Sequence, residues 1–384
     1  MIKTIVTFLF YVFLLFNNNL FANENGKKLK VGLLAPFSGE YKNLGESLLL
    51  STQLALNEID NKNIIIIPRD SGSNNNEKLN ASIKEIINNG AKIIIGPMSS
   101  SSVTELKKYN DTIFISLSNK EPKIFNNVIN IGISLESQLK AIEQLLVKEN
   151  KRKTIILYPK NKYESFIDKK IKLIKLKNYK VFKYNSDPRI LTGEIEKLTN
   201  YSQRKRNLEI RKNILKKKDD EKSKKELEVL DRLYTLGSVD FDSVIVIDFG
   251  SNLKSVLSSL VYTDVDDDAV LIATVNQWFD ESIFRENLVK NLYFPSVDLK
   301  QFKKYNENYF KTFGVKPDEI TILAYDALGL IYYIWNKNKG ISTINDFFIK
   351  EKIKGKIGTF TFKEKKVSQQ LKIYKTENNK FKEY

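Results

Sequence analysis

Short unbroken runs of Ile, Val and Leu, each followed by an amphipathic stretch, set the architecture available to this chain. Leu29–Pro36, Ile64–Pro68, Lys92–Gly96, Thr112–Ser116 and Val128–Gly132 read as strands. Helical patterns at Glu46–Asp60, Asn76–Asn89 and Ser99–Lys108 lie between them. The rhythm then restarts, with a helix at Leu135–Glu149, a strand at Thr154–Tyr158, a helix at Tyr163–Leu176 and a strand at Tyr179–Tyr184. Further strands follow at Ser243–Asp248, Ala269–Thr274 and Asn291–Phe294. A strand with one wet face alternates apolar and polar residues, whereas a strand covered on both faces stays apolar throughout. The pattern therefore predicts an α/β chain with two doubly wound, Rossmann-like parallel lobes. Ile320–Trp335 reads as a strongly apolar helix, and Gly358–Phe362 with Gln370–Tyr374 as a terminal strand pair. At 384 residues and 42% hydrophobic, the chain has material for two or three packed cores.

The first residues carry an export pattern. Lys3 gives a positive start, Ile5–Phe16 is apolar apart from Thr7 and Tyr11, and Leu20-Phe21-Ala22 offers a cleavage site before Asn23. As a helix, that apolar run would reach only about 18 Å, short of the ~30 Å hydrocarbon core. Residues 1–22 are thus expected to be a cleaved signal peptide, leaving a periplasmic protein with no membrane span. No Cys follows the run, so a lipid anchor at that point is not expected.

The chain has no Cys and no His. This removes Ser-His-Asp triads, thiol nucleophiles and the usual zinc ligands. No carboxylate pair stands out, and the expectation is a non-enzymatic protein without cofactor or metal. Asp264-Val265-Asp266-Asp267-Asp268 imitates the start of a calcium loop. Such a loop needs Gly at 269 and Glu at 275, where the chain has Ala269 and Val275. It reads instead as a turn before a strand. The formal net charge is +17. A basic face for nucleic acid, anionic lipid or wall polymer would give this, as would scattered lysine use. The lysines are scattered and no nucleic-acid motif is present, so no nucleic-acid partner is expected. One segment breaks the rhythm. Residues 204–232 hold twelve Lys/Arg and seven Asp/Glu around a thin stripe of Leu208, Leu215, Leu227, Leu230 and Leu233. It reads as a charged helical excursion, either a solvated face or a partner-docking arm.

Three turns fall at the carboxyl ends of first-lobe strands, where open α/β sheets bind ligands. They are Ser38-Gly39 with Tyr41 and Gly45, Gly96-Pro97-Met98-Ser99-Ser100-Ser101-Ser102, and Ser116-Leu117-Ser118-Asn119. No phosphate-loop or dinucleotide glycine pattern is present. Hydroxyls and open N–H groups at helix starts suit a small polar or anionic group such as a carboxylate. They equally suit simple helix capping and turning.

Val31-Gly32-Leu33-Leu34-Ala35-Pro36-Phe37-Ser38-Gly39 with Gly45, then Ile94-Ile95-Gly96-Pro97 and its serines, resemble the type I periplasmic binding proteins of the branched-chain amino-acid receptor kind. Ala324-Tyr325-Asp326-Ala327 and Gly358-Thr359-Phe360-Thr361-Phe362 extend the resemblance over most of 29–384. In the second lobe, Phe241-Asp242-Ser243-Val244-Ile245-Val246-Ile247-Asp248, Tyr262-Thr263-Asp264-Val265-Asp266, Ala273-Thr274 and Gln277-Trp278-Phe279-Asp280 look more like the penicillin-binding protein activators. The resemblance implies two lobes joined by crossover strands, 27–133 plus 297–350 and 134–296 plus 351–384. It implies a ligand carboxylate held by Ser99, Ser100 and Ser118, with Ser38 and Asn119 beside them. Tyr163 would pack on the ligand, with Tyr41 opposite. The acid that meets a ligand ammonium is missing around Asn276–Trp278, and Asp248 is the nearest substitute. Two functions follow from the resemblance. One is an envelope module that partners a peptidoglycan synthase. The other is a receptor that takes a small polar ligand to a membrane transporter.

Overall fold

The computed structural model describes residues 28–73, 75–119, 125–284, 289–363 and 366–384, so the expected signal peptide lies outside the described residues. The first sheet is all parallel, in the order β2-β1-β3-β4-β5. Its strands are β1 (Leu29–Ala35), β2 (Ile64–Asp70), β3 (Ile93–Ile95), β4 (Ile113–Ser116) and β5 (Val128–Asn130). The pleat explains why these runs are continuously apolar. Val31, Leu33, Ile93 and Ile95 point to one core, while Leu34, Ile94 and Phe114 point to another. Helix α1 (Lys42–Ile59) covers the first face, and α2 (Asn76–Asn88) with the short α3 (Val103–Leu106) covers the second.

Two local expectations are corrected. Helix α1 starts four residues before Glu46, and Gly45 lies inside it, not in the turn. A Cβ on Gly45 would stand 2.0 Å from the Pro36 carbonyl oxygen, so the glycine allows the helix to abut the strand end. Ser99 to Ser102 form a turn, and only Val103–Leu106 is helical.

After β5 the chain crosses into a second lobe. There α4 (Leu135–Lys148), β6 (Thr154–Pro159), α5 (Glu164–Ile171), β7 (Tyr179–Tyr184) and α6 (Pro188–Leu198) follow in turn. Helices α7 (Tyr201–Leu215) and α8 (Glu221–Leu230) form the charged excursion. Then come β8 (Ser243–Val246), α9 (Gly250–Tyr262), β9 (Leu271–Thr274) and β10 (Leu292–Ser296). The sheet has parallel strands in the order β10-β9-β8-β6-β7. It too is doubly covered. Ile155, Leu157, Val244 and Val246 face α6 and α9, whereas Ile156, Tyr158, Ile245 and Ile247 face α4 and α5.

The chain returns through α10 (Leu299–Phe313) and α11 (Ile322–Asn338), whose Phe302, Tyr305, Tyr309 and Ile331 join the first-lobe core beside α1. The terminal strands pair differently from expectation. β12 (Thr359–Lys363) forms a hairpin with β13 (Lys366–Gln370), with the two-residue β11 (Ile353–Lys354) on its other side. β14 (Lys372–Glu377) instead joins β10 antiparallel, and β15 (Lys380–Glu383) closes that edge. The reason lies in burial. Ile357 and Phe360 sink into the first-lobe core, and Tyr374 stacks on Phe279 and Phe294.

Candidate functional site

A cleft of about 420 Å³ opens at the carboxyl ends of β6, β8 and β9. Each lining side chain is placed by a strand end or by the helix after it. Pro159 ends β6, Tyr163 is the residue before the first turn of α5, and Phe166 and Ile167 lie on that helix. Asp248 and Phe249 link β8 to α9. Val275, Asn276 and Trp278 follow β9. The opposite rim has Leu135 and Gln138 of α4, and Asn119 after β4. Most of the wall is apolar. Asp248 is the one charged side chain among the described lining residues.

Asp248 is 8% exposed and richly bonded. The Tyr184 hydroxyl donates to its Oδ2, and the Phe249 N–H donates to its Oδ1 at 2.8 Å. Burial pushes its carboxyl above the ordinary value, against the lowering effect of bonds from Tyr184, Phe249 and Asn252. Burial likewise raises the Tyr184 hydroxyl, and its bond to Asp248 adds to this. The cleft therefore suits an apolar body whose polar head is neutral or cationic. Among the described lining residues there is no lysine or arginine to meet a bare carboxylate.

The far wall is an interlocked amide network. Gln138 Oε1 accepts from Asn276 N at 2.8 Å, and its Nε2 donates to the Ile133 carbonyl at 3.2 Å. Asn276 Oδ1 accepts from Ser296 Oγ at 2.7 Å and from Trp278 N at 3.0 Å. Trp278 and Phe279 both have left-handed backbones, with φ of 52° and 60°. Two consecutive bulky residues in that region are costly and persist only where packing enforces them. Here Phe279 is clamped among Phe294, Phe302, Tyr374 and Phe381.

Of the sequence candidates, Asn119, Tyr163 and Asp248 come together in this cleft. The others lie elsewhere. Ser38 is exposed, and its Oγ donates to Asp70 Oδ2 at 2.6 Å. Asp70 also accepts from Phe37 N and Gly72 N, so Ser38 locks the β1–β2 loops together. Those bonds outweigh burial and hold the Asp70 carboxyl below its ordinary value. Tyr41 is exposed ahead of α1, and Ser99 bonds Ser101 at 2.7 Å between hydroxyls. Ser99 and Ser100 do not line the cleft, and neither does Ser118, which is buried beside Asn119. Asn119 Oδ1 accepts from Ile133 N at 2.9 Å, which ties the β4 turn to the crossing into the second lobe. Gln138, Asn161, Phe166, Asn276 and Trp278 were not among the candidates. The sequence pointed to Asn276–Trp278 only through the resemblance, as the place where an ammonium-binding acid is missing.

Two other features lie away from this cleft. A larger cavity of about 610 Å³ lies under Phe284 and Asn378, at the amino end of β10 and away from the strand carboxyl ends. The acids Asp266, Asp267 and Asp268 cluster, but each is engaged. Asp266 accepts from Asp268 N at 2.9 Å, Asp267 accepts from the backbone of Lys290, and Asp268 pairs with the Lys290 ammonium at 3.3 Å.

Residues 28–172 match the sequence model of the family described as periplasmic binding protein. A protein described as a branched-chain amino-acid ABC transporter from Rhodospirillum rubrum superposes with a TM-score of 0.72 at 11% identity, over 93% of this chain and 100% of that one. The chain has the type I periplasmic-binding-protein fold. The isoleucine complex of the substrate-binding protein LivJ from Streptococcus pneumoniae gives 0.56 at 16% identity, covering 93% and 98%. The C-domain of LpoA from Haemophilus influenzae, a regulator of PBP1A, gives 0.61 at 13% identity, covering 92% and 99%. At such identities the likeness is one of fold. No curated protein matches the sequence.

Proposed function

We propose that this chain is an exported, non-enzymatic envelope protein that regulates peptidoglycan synthesis through a protein partner, using a receptor fold. One observation carries the choice over a transport receptor. The first-lobe hydroxyls Ser99, Ser100 and Ser118, which should hold a ligand carboxylate in a receptor, do not line the cleft. The second-lobe acid is already bonded to Tyr184. The likeness to the LpoA C-domain supports the same reading. We also propose the lobes as 27–133 plus 297–350 and 134–296 plus 351–384. The packing of Ile357 and Phe360 on the first-lobe core moves the β11–β13 hairpin to the junction.

The receptor reading keeps one specific support, an apolar cleft with Tyr163 and a single acid. The two separate cleanly. A receptor is stabilised by its ligand, by about 2.7 kcal/mol at a hundred times the dissociation constant. A thermal-shift panel of amino acids and short wall peptides is expected to give no shift. Added chain is expected to raise glycan-strand synthesis by a purified peptidoglycan synthase. A leucine or valine shift that disappears in Asp248→Asn with Tyr163→Ala would overturn the regulator in favour of the receptor.

A further inference from the structure

Four amide side chains line the cleft, Asn119, Gln138, Asn161 and Asn276. Their carbonyl oxygens are engaged within the protein. Asn119 Oδ1 accepts from Ile133 N, Asn161 Oδ1 from Tyr163 N at 2.8 Å, and Gln138 Oε1 from Asn276 N. Asn276 Oδ1 accepts from Ser296 Oγ and Trp278 N. The NH2 groups of Asn119, Asn161 and Asn276, in contrast, donate to none of the described residues. Asn276 is the most telling of the three, because the residue is only 3% exposed. Trp278 N can only donate, so the Asn276 amide cannot be reversed. A buried NH2 without an acceptor is costly. Among the described residues, the side-chain atoms sealed from solvent without a partner are Asn306 Oδ1 and Gln369 Oε1, and Asn276 Nδ2 is not one of them. It therefore opens to the cleft that the residue lines. Around these donors the wall is aromatic, with Tyr163, Phe249 and Trp278. Asp248 adds an acceptor, since each of its oxygens keeps a lone pair beyond the bonds from Tyr184 and Phe249.

We propose that this cleft binds a neutral N-acetylated hexosamine. A ligand carboxylate would face Asp248 with no cation among the described lining residues. An ammonium would find Asp248 as its acceptor but would leave the NH2 donors facing a cation. A sugar hydroxyl accepts and donates at once, so it can take a bond from an asparagine and give its proton to Asp248. An acetamido carbonyl accepts from a second amide, and its methyl group suits the apolar wall. The C–H face of a pyranose ring packs flat on the electron-rich face of an aromatic side chain. Neutrality and the aromatic contact come from the cleft alone. The choice of the acetamido sugar of the cell wall among neutral sugars rests on the regulator reading given above.

The test is titration calorimetry of the full mature chain with N-acetylglucosamine and its β-1,4-linked dimer. Glucose, leucine, cyclohexylamine and N-acetylmuramic acid, which carries a carboxylate, are the comparison ligands. The acetamido sugars are expected to bind at least about tenfold more tightly than any of these. Asn276→Asp and Asn119→Asp keep the oxygen that accepts from Trp278 N or Ile133 N and remove only the NH2 group. Each should weaken sugar binding at least about tenfold, whereas Asn213→Asp, which adds the same charge on exposed α7, should leave it unchanged. Asn119→Asp, at a half-buried position, serves if circular dichroism shows that Asn276→Asp disturbs the fold. The chain has two tryptophans, so in Trp335→Phe the emission comes from Trp278 alone, and the sugar should shift it. No heat with either acetamido sugar would overturn the proposal. So would glucose, leucine or cyclohexylamine binding as tightly, unchanged affinity in both amide variants, or an unmoved Trp278 emission. The titration contains no synthase, so its failure leaves the regulator reading standing, and that reading fails separately if synthase activity does not rise.

Discussion

Asp326 shows how much one residue can set. Buried on α11, it accepts from the N–H groups of Lys356 and Ile357 at 2.9 and 2.8 Å, which pins the turn before β12 to the first lobe. A Cβ on Gly355 would come within 2.4 Å of its Oδ2, so the turn needs glycine there. Burial pushes the carboxyl up to about 6, although both N–H donors and Lys356 pull it down. The sign of the pH effect follows. Between the ordinary value of 3.8 and about 6, the unfolded chain has released this proton while the folded chain retains it. The folded state therefore binds more protons, and the contribution of Asp326 to stability falls as pH rises through that window. The full effect is about 3 kcal/mol. Urea denaturation at a series of pH values should show this slope in the wild type. In Asp326→Asn the difference should vanish, at the cost of one unmatched N–H donor and a lower stability at acid pH. An unchanged slope in the variant would assign the pH dependence to other groups.

At the scale of elements, the charged excursion depends on its first residue. Arg204 is 7% exposed and is the strut between α7 and the end of α9. It donates to the carbonyls of Gly237, Thr263 and Asp264 and to Thr235 Oγ1, at 2.7 to 3.0 Å. Sequence composition counts Arg204 with eleven other cations, yet it is a core residue in function. Arg204→Met should cost roughly 3 kcal/mol, because several buried acceptors lose a charged donor. Denaturant midpoints would measure this. Arg206→Met, on the exposed side of the same helix, should change stability by no more than about 0.5 kcal/mol. A small effect at both positions would mean that the hairpin is only loosely attached.

The whole molecule is held at the junction of its lobes. Phe279 sits 4.9 Å from Tyr374 and 5.8 Å from Phe294, both on second-sheet strands, and 5.5 Å from Phe302 on α10, which packs with the first lobe. Gln369 on the hairpin donates to the carbonyls of Ile131 and Gly132, at 2.7 and 3.1 Å, where the chain first crosses. The lobes thus share a continuous apolar core. Phe279→Ala should cost about 3–5 kcal/mol and uncouple them. Calorimetry is expected to resolve one transition in the wild type and two in the variant. A single, merely lowered transition would mean that the coupling runs mainly through the backbone crossings.

The sequence by itself determined the two-sheet α/β architecture. Runs such as Ile93-Ile94-Ile95 and Val244-Ile245-Val246 must bury both faces, and that is a local property any sheet must obey. It also placed Asn119, Tyr163 and Asp248 at strand ends, where parallel sheets open. Only tertiary structure decided which strand ends face one cavity. Asp248 owes its raised carboxyl to burial beneath distant segments, against the pull of a bond from Tyr184, 64 positions away, and Asn276 owes its orientation to Gln138, 138 away. The same holds for the terminal strands, where Lys372–Glu377 left its neighbours for β10. Pairing and burial between distant segments depend on how whole layers stack, and no local pattern of residues encodes that distance.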